Sequence, residues 1–192
     1  MPGADLAELL YTLTDDAFRE DCHASKILLE DLTGKPVQFY RAPSWSLLRK
    51  DAHRLVLLEE EGYLGDSSLQ PFRTPLSGSG HTPVEPFYPV VGGKRLNLLE
   101  VPPTVLNIAG LRIPFAGGFY LRAIPSLFVM AGLNFVGRKR PGMVYSHPWE
   151  MDSGMPQIPL PIFAHFVHYH KISSSKQKLT TLLKTFPFQP MG

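Results

Sequence analysis

The sequence predicts an α/β fold, on three observations. A capped helical pattern near the N-terminus stops at a glycine. A short apolar strand follows it at once. The same helix–strand order then repeats, which favours α/β over all-β architecture. In order, Thr14 can cap a helix whose first turn holds Asp15 and Asp16 at the positive end of the dipole. Phe18, Cys22 and Leu29, with Ser25 between them, give a rough helical face through Glu30. Gly34 suits the position after a helix end, and Pro36 bars continuation. Val37–Tyr40 reads as a strand running into Arg41-Ala42-Pro43. A second helix is expected from Leu47 to Glu61 through Leu48, Ala52, Leu55 and Leu58, ended by Gly62, with a strand at Tyr63–Gly65.

Residues 70–95 break this pattern. Pro71, Pro75, Pro83, Pro86 and Pro89, with Gly78 and Gly80, fit regular elements poorly. The segment reads as a long surface loop, open to a lid or substrate-contact role or to a plain connection. Leu96–Glu100 and Thr104–Ile108 are strand candidates, and Ala109-Gly110 suits a turn before Leu111–Phe115. Gly117-Gly118 lacks the spacing and the Lys-Ser/Thr ending of a phosphate loop, so close backbone packing or a bulge is expected. Pro125 can open a helix to about Asn134, Met143–His147 is a further strand candidate, and Ser173–Phe186 can form an amphipathic helix.

Composition narrows the function classes. A chain of 192 residues suffices for one domain with a real core, and its 44% hydrophobic content is ordinary for a globular protein. A formal charge of +2 leaves no nucleic-acid footprint, and Arg138-Lys139-Arg140 between Gly137 and Pro141-Gly142 reads as a solvated loop. Cys22 is the single cysteine, so no internal disulfide exists, and its place on a helix suits a small buried hydrophobe. No apolar run reaches the roughly 18 residues of a membrane span, and no basic leader precedes Asp5 and Glu8. A cytoplasmic protein is the expectation.

Three short motifs occur in order: Arg41-Ala42-Pro43-Ser44-Trp45, then Gly62–Ser68 ending Asp66-Ser67-Ser68, then Tyr145-Ser146-His147-Pro148-Trp149-Glu150. Together they resemble the later active-site motifs of the polysaccharide deacetylases, the NodB-like carbohydrate esterase family. The resemblance implies a deformed (β/α) barrel, incomplete in this chain. It also implies metal-dependent hydrolysis of N-acetyl groups on a polysaccharide. By resemblance, Arg41 holds the catalytic base carboxylate, the backbone N–H of Ser44 faces the oxyanion, and Trp45 lines a sugar groove. Asp66 orients the acid histidine, His147 protonates the departing amine, and Trp149 contacts sugar.

The likeness is closer to a bacterial branch associated with exopolysaccharide production and the PEP-CTERM sorting system. The stretches that carry it are Tyr11–Thr14, Phe18–Asp21, Ser25-Lys26, Leu29–Gly34, His147–Asp152, Pro156, His168-Tyr169 and Leu179–Phe186. It divides the chain into an unmatched 1–9, the C-terminal two-thirds of a deacetylase domain at 10–150, and a branch-specific extension at 151–192.

The departures lie at the front. The first motif, with the base Asp and a metal-ligand Asp, has no counterpart, and Gly3 and Ala7 stand where the two His of the second would fall. Asp15-Asp16 opens a helix and cannot replace the first motif. His165, His168 and His170 are a second candidate for zinc, since His168 and His170 would share a face of a strand. The family has a His-Tyr here without using it for metal, and aromatic packing is the plainer role. The expectations are therefore no metal or other cofactor held by this chain, although the family uses a divalent metal such as zinc, and an N-acetylated polysaccharide as partner. A deacetylase truncated at its N-terminus, inactive alone, stands beside a non-catalytic carbohydrate-binding or interaction module and a structural remnant.

Overall fold

The computed structural model of the chain describes residues 10–74, 78 and 81–191. The expectations at residues 1–9, with Gly3 and Ala7, and at Pro75 and Gly80 of the proline-rich loop, lie outside the described residues. The chain separates into two compact units, Met1–Pro103 with Met191–Gly192, and Thr104–Pro190.

The first unit mixes helix and parallel strand. Helix α1 spans Asp15–Thr33; Thr14 Oγ1 accepts from the N–H of Ala17, and Gly34 ends the helix at φ 64°. A left-handed residue there suits glycine, which has no Cβ to clash. Strand β1 is Phe39–Tyr40, helix α2 is Arg54–Glu60, and strand β2 is Gly65–Asp66. The expected helix from Leu47 is thus shorter. Its first part is a 3₁₀ turn at Arg49–Asp51, because the chain reaches it with Ser46 and Leu47 already pinned in the core.

The loop at 70–95 carries a two-residue hairpin, β3 Val90–Val91 and β4 Lys94–Arg95, turned by Gly92 and Gly93 at positive φ. Strand β5 is Leu99–Glu100. β1, β2 and β5 form one parallel sheet in that order, with Tyr40, Asp66 and Glu100 in register. Phe87 makes an antiparallel bridge to Glu100.

Apolar residues of α1, α2 and the sheet ends build the core: Phe18, Cys22, Leu55, Leu58, Tyr63, Leu96 and Leu98. Arg54 ties the chain ahead of α1 to α2, donating to Asp15 and to the carbonyls of Leu10 and Leu13. Cys22 is the small buried hydrophobe expected; its thiol is pushed up to about 12, by burial first and then by the Asp21 carboxylate. A thiol reagent at mildly alkaline pH should leave Cys22 untouched in the folded protein and label it fully in denaturant. Fast labelling of the folded protein would mean that this core opens.

The second unit begins with an antiparallel pair, β6 Val105–Ile108 and β7 Leu111–Pro114, joined through Ala109 and Gly110 at positive φ. Helices α3 Gly118–Ala123, α4 Ser126–Gly137, α5 Ile162–Tyr169 and α6 Ile172–Thr185 follow. Phe115, Leu121, Val129, Leu133, Val136 and Leu182 make the core. Gly132 lets α4 close on Phe115, where a Cβ would stand 2.7 Å from the ring. Met143–His147 is not the strand expected. Within it Tyr145 makes a single parallel bridge to Gly117, and Pro141 and Pro148 stand on either side. No described helix is long and apolar enough to cross a membrane.

Candidate active site

In the first unit the site grows from the ends of β1 and β2. Ala42 leaves β1 in extended conformation, and Pro43 opens a 3₁₀ turn in which Ser44 and Trp45 both hold φ above +50°. Neither is glycine, so each costs about 1–2 kcal/mol against right-handed backbone. Ser67 and Ser68 stitch this turn to β2. Arg41 Nη2 donates to Ser67 Oγ (3.1 Å), and the Ala42 N–H donates to Ser68 Oγ (2.8 Å). Ser67 Oγ in turn donates to the Val101 carbonyl (2.7 Å). The Arg41 guanidinium lies 5.2 Å over the Trp45 ring. Ser44 is exposed and Trp45 is buried.

Asp66 is fully buried at the end of β2. Its Oδ1 accepts from Ser68 Oγ (2.6 Å) and its Oδ2 from the Ser68 N–H (3.1 Å). Burial raises its pKa, and hydrogen bonds from Glu100 and Ser68 oppose that rise. Glu100, its cross-strand partner, is not among the residues expected at the site. It is also fully buried, with Oε1 accepting from the Leu69 N–H (3.0 Å). Burial, and then the Asp66 charge, hold Glu100 well above the ordinary glutamate range. The signal for Glu100 is an acid at the end of an otherwise apolar strand, Leu98-Leu99-Glu100-Val101.

His147 and Trp149 lie in the second unit. Gly117 and Gly118 bear out close packing: a Cβ on Gly117 would stand 2.1 Å from the Tyr145 ring. His147 is exposed and precedes a 3₁₀ turn, Pro148–Met151. Its N–H donates to Glu150 Oε2 (2.8 Å), and the Glu150 N–H returns to the His147 carbonyl (3.0 Å). The other carboxylate oxygen of Glu150 accepts from Arg122 Nε (2.7 Å), both side chains being buried. Arg122 also donates to the carbonyls of Val167 (3.0 Å), His168 (3.0 Å) and His170 (2.6 Å), capping the end of α5. Three near-parallel rings follow from this anchor. His147 lies 6.0 Å from Trp149, and Trp149 lies 4.2 Å from His168. Burial, and then Arg122, lower the His168 pKa. Arg122 is missed from sequence because Gly117-Gly118-Phe119-Tyr120-Leu121-Arg122 stands out only by its glycines.

The histidines of the extension sit on a helix, and not on a strand of which His168 and His170 would share a face. His165 and His168 belong to α5 and His170 caps it. Each ring meets an aromatic: His165 on Tyr169 (4.7 Å), His168 on Trp149, His170 on Phe166 (4.6 Å). Among the described residues no group of three His, Cys, Asp or Glu could hold a metal ion. These donors do not fit the divalent metal that the deacetylase resemblance implies.

The structure thus gathers Arg41, Ser44, Trp45 and Asp66 in the first unit, and His147 and Trp149 in the second. No curated protein matches the chain. Among solved structures it is similar to a presumed polysaccharide deacetylase from Mycobacterium smegmatis, at 19% identity and a TM-score of 0.49. That match covers 92% of this chain and 54% of the other, so the chain spans about half the length of that protein. Residues 67–192 match the family described as Domain of unknown function (DUF3473), the family to which this chain belongs.

Proposed function

We propose that the chain forms the acid-and-oxyanion part of a polysaccharide deacetylase acting on N-acetyl groups of a bacterial exopolysaccharide. The observation that carries this reading is the stitched cluster at the ends of β1 and β2. There Ser67 and Ser68 hold the Arg41–Trp45 turn and the Asp66 carboxylate as one unit. The sheet β1-β2-β5 is read as an arc of an incomplete deformed (β/α) barrel, whose functional groups stand at strand ends.

In amide hydrolysis, water adds to the acetyl carbon and the C–N bond breaks, giving acetate and a free amine. The backbone N–H of Ser44 would stabilise the oxyanion, for which the fixed left-handed turn is suited. His147 would give its proton to the departing nitrogen, held at its backbone by Glu150. Asp66 would serve as an orienting carboxylate, and Arg41 would hold the base carboxylate. Trp45 and Trp149 would contact the sugar. The base carboxylate and the ligands of the metal would come from sequence outside these 192 residues.

Acetate release from N-acetylhexosamine polymers tests the reading. It compares the chain alone with the chain extended by a segment bearing the base and metal ligands. The extended protein should release acetate and the chain alone should not. His147→Ala in the extended protein should lower the rate about 10²–10⁴-fold, the size of a lost general acid. A folded extended protein that binds the polymer without releasing acetate would favour a carbohydrate-binding module. One that neither binds nor cleaves would end the reading.

A further inference from the structure

We infer that Glu100 is a positioning residue for Asp66: the two side-by-side carboxyl groups share one proton, and that proton fixes the Asp66 side chain at its strand end. The use to which Asp66 is put rests on the function proposed above; the shared proton does not.

The geometry leaves little choice. Asp66 and Glu100 are Cα partners in neighbouring parallel strands, and the bridge from Phe87 closes the other side of β5. Both residues are fully buried. Asp66 takes a hydroxyl and an N–H from Ser68, and Glu100 Oε1 takes the Leu69 N–H. Glu100 Oε2 is buried and meets no donor among the described residues. Two ionised carboxyls are acceptors only, and like charges at one buried site do not both persist. A proton turns one acceptor into a donor and supplies the partner that Oε2 lacks. It belongs on Glu100, because Asp66 is the better provided with donors.

The charged and titratable groups around the pair agree with one shared charge. Arg41, beyond β1, favours the ionised form of Glu100. Burial first, and then nearby charges that include Asp66, hold Tyr40 in β1 and Cys22 in α1 in their neutral, protonated forms.

The test needs no catalysis, so its failure and the failure of the deacetylase reading are separable. Carbon-13 carboxyl signals of the full chain, assigned through bonds from the backbone, should show Glu100 protonated and Asp66 ionised at neutral pH. Stability against pH gives a second readout. A group held above its ordinary value of 4.5 keeps its proton when folded and loses it when unfolded as pH rises. Its stabilisation is therefore complete below that value and lost as pH climbs toward the folded pKa. The unfolding constant should grow by up to about tenfold per pH unit from this group.

Glu100→Gln keeps a donor toward Asp66 and should remove that slope relative to the parent, leaving the Asp66 signal in place. Glu100→Ala should shift and broaden the Asp66 signal, which Gln restores. An ionised Glu100 signal at neutral pH, or an unchanged slope in Glu100→Gln, would overturn the inference. If neither variant folds, the carboxyl signals of the parent decide it alone.

Discussion

Replacing Arg122 by leucine should destabilise the protein by about 3–5 kcal/mol, the cost of stripping one partner from a buried ion pair. Arg122 and Glu150 are 4% and 2% exposed at their side chains, so solvent gives the stranded carboxylate little help. The same change removes the donors that satisfy three carbonyls at the end of α5. Glu150→Gln should cost less, because an amide oxygen can still accept from Arg122 and the α5 cap stays whole. The double change of both residues to leucine should recover part of the loss and not all, since the α5 carbonyls remain bare. Urea titration of the four proteins checks the order. Equal losses for Arg122→Leu and Glu150→Gln would show that the cap, and not the buried charge, is incidental.

Phe18→Ala should cost a similar amount, about 3–5 kcal/mol, through lost transfer energy plus the cavity left behind. Phe18 is 0% exposed, meets Tyr40 edge to face at 5.8 Å, and lies beneath the Arg54 guanidinium at 5.5 Å. Leu32→Ala on the same helix is the control: Leu32 is 73% exposed and should change stability by less than about 0.5 kcal/mol. Denaturant midpoints of the pair separate a packing role from a general effect of apolar loss on α1.

Local chemistry makes parts of the fold legible. Thr14 and Gly34 bound α1 where expected because a cap and a left-handed stop act within a few residues. The β6–β7 hairpin is legible for the same reason, through Ala109-Gly110. Long-range packing decides the rest. The expected helix from Leu47 gives way to a 3₁₀ turn because the preceding Ser46 is tied to the N–H of Leu10, far away in sequence. The histidines of α5 suggest extended chain when read two by two. The better signals were Pro161, which suits a helix start, and the aromatic rings of Phe163, Phe166 and Tyr169 at near-helical spacing.

The site divides along the same line. Arg41, Asp66 and His147 are found as members of short motifs. Glu100 and Arg122 escape because their partners lie across a sheet or at another helix's end. A buried acid or guanidinium is recognisable only once that partner is in place.

The consecutive left-handed residues Ser44 and Trp45 bear on how such a sequence would change under different selections. A laboratory lineage screened for thermal endurance alone should exchange Ser44 for glycine early, because glycine takes that backbone without penalty. Under the proposed reaction, a lineage screened for turnover would have a reason to keep serine, since glycine would loosen the turn proposed to aim that backbone N–H. The identity of residue 44 in evolved descendants would then record which pressure they had met.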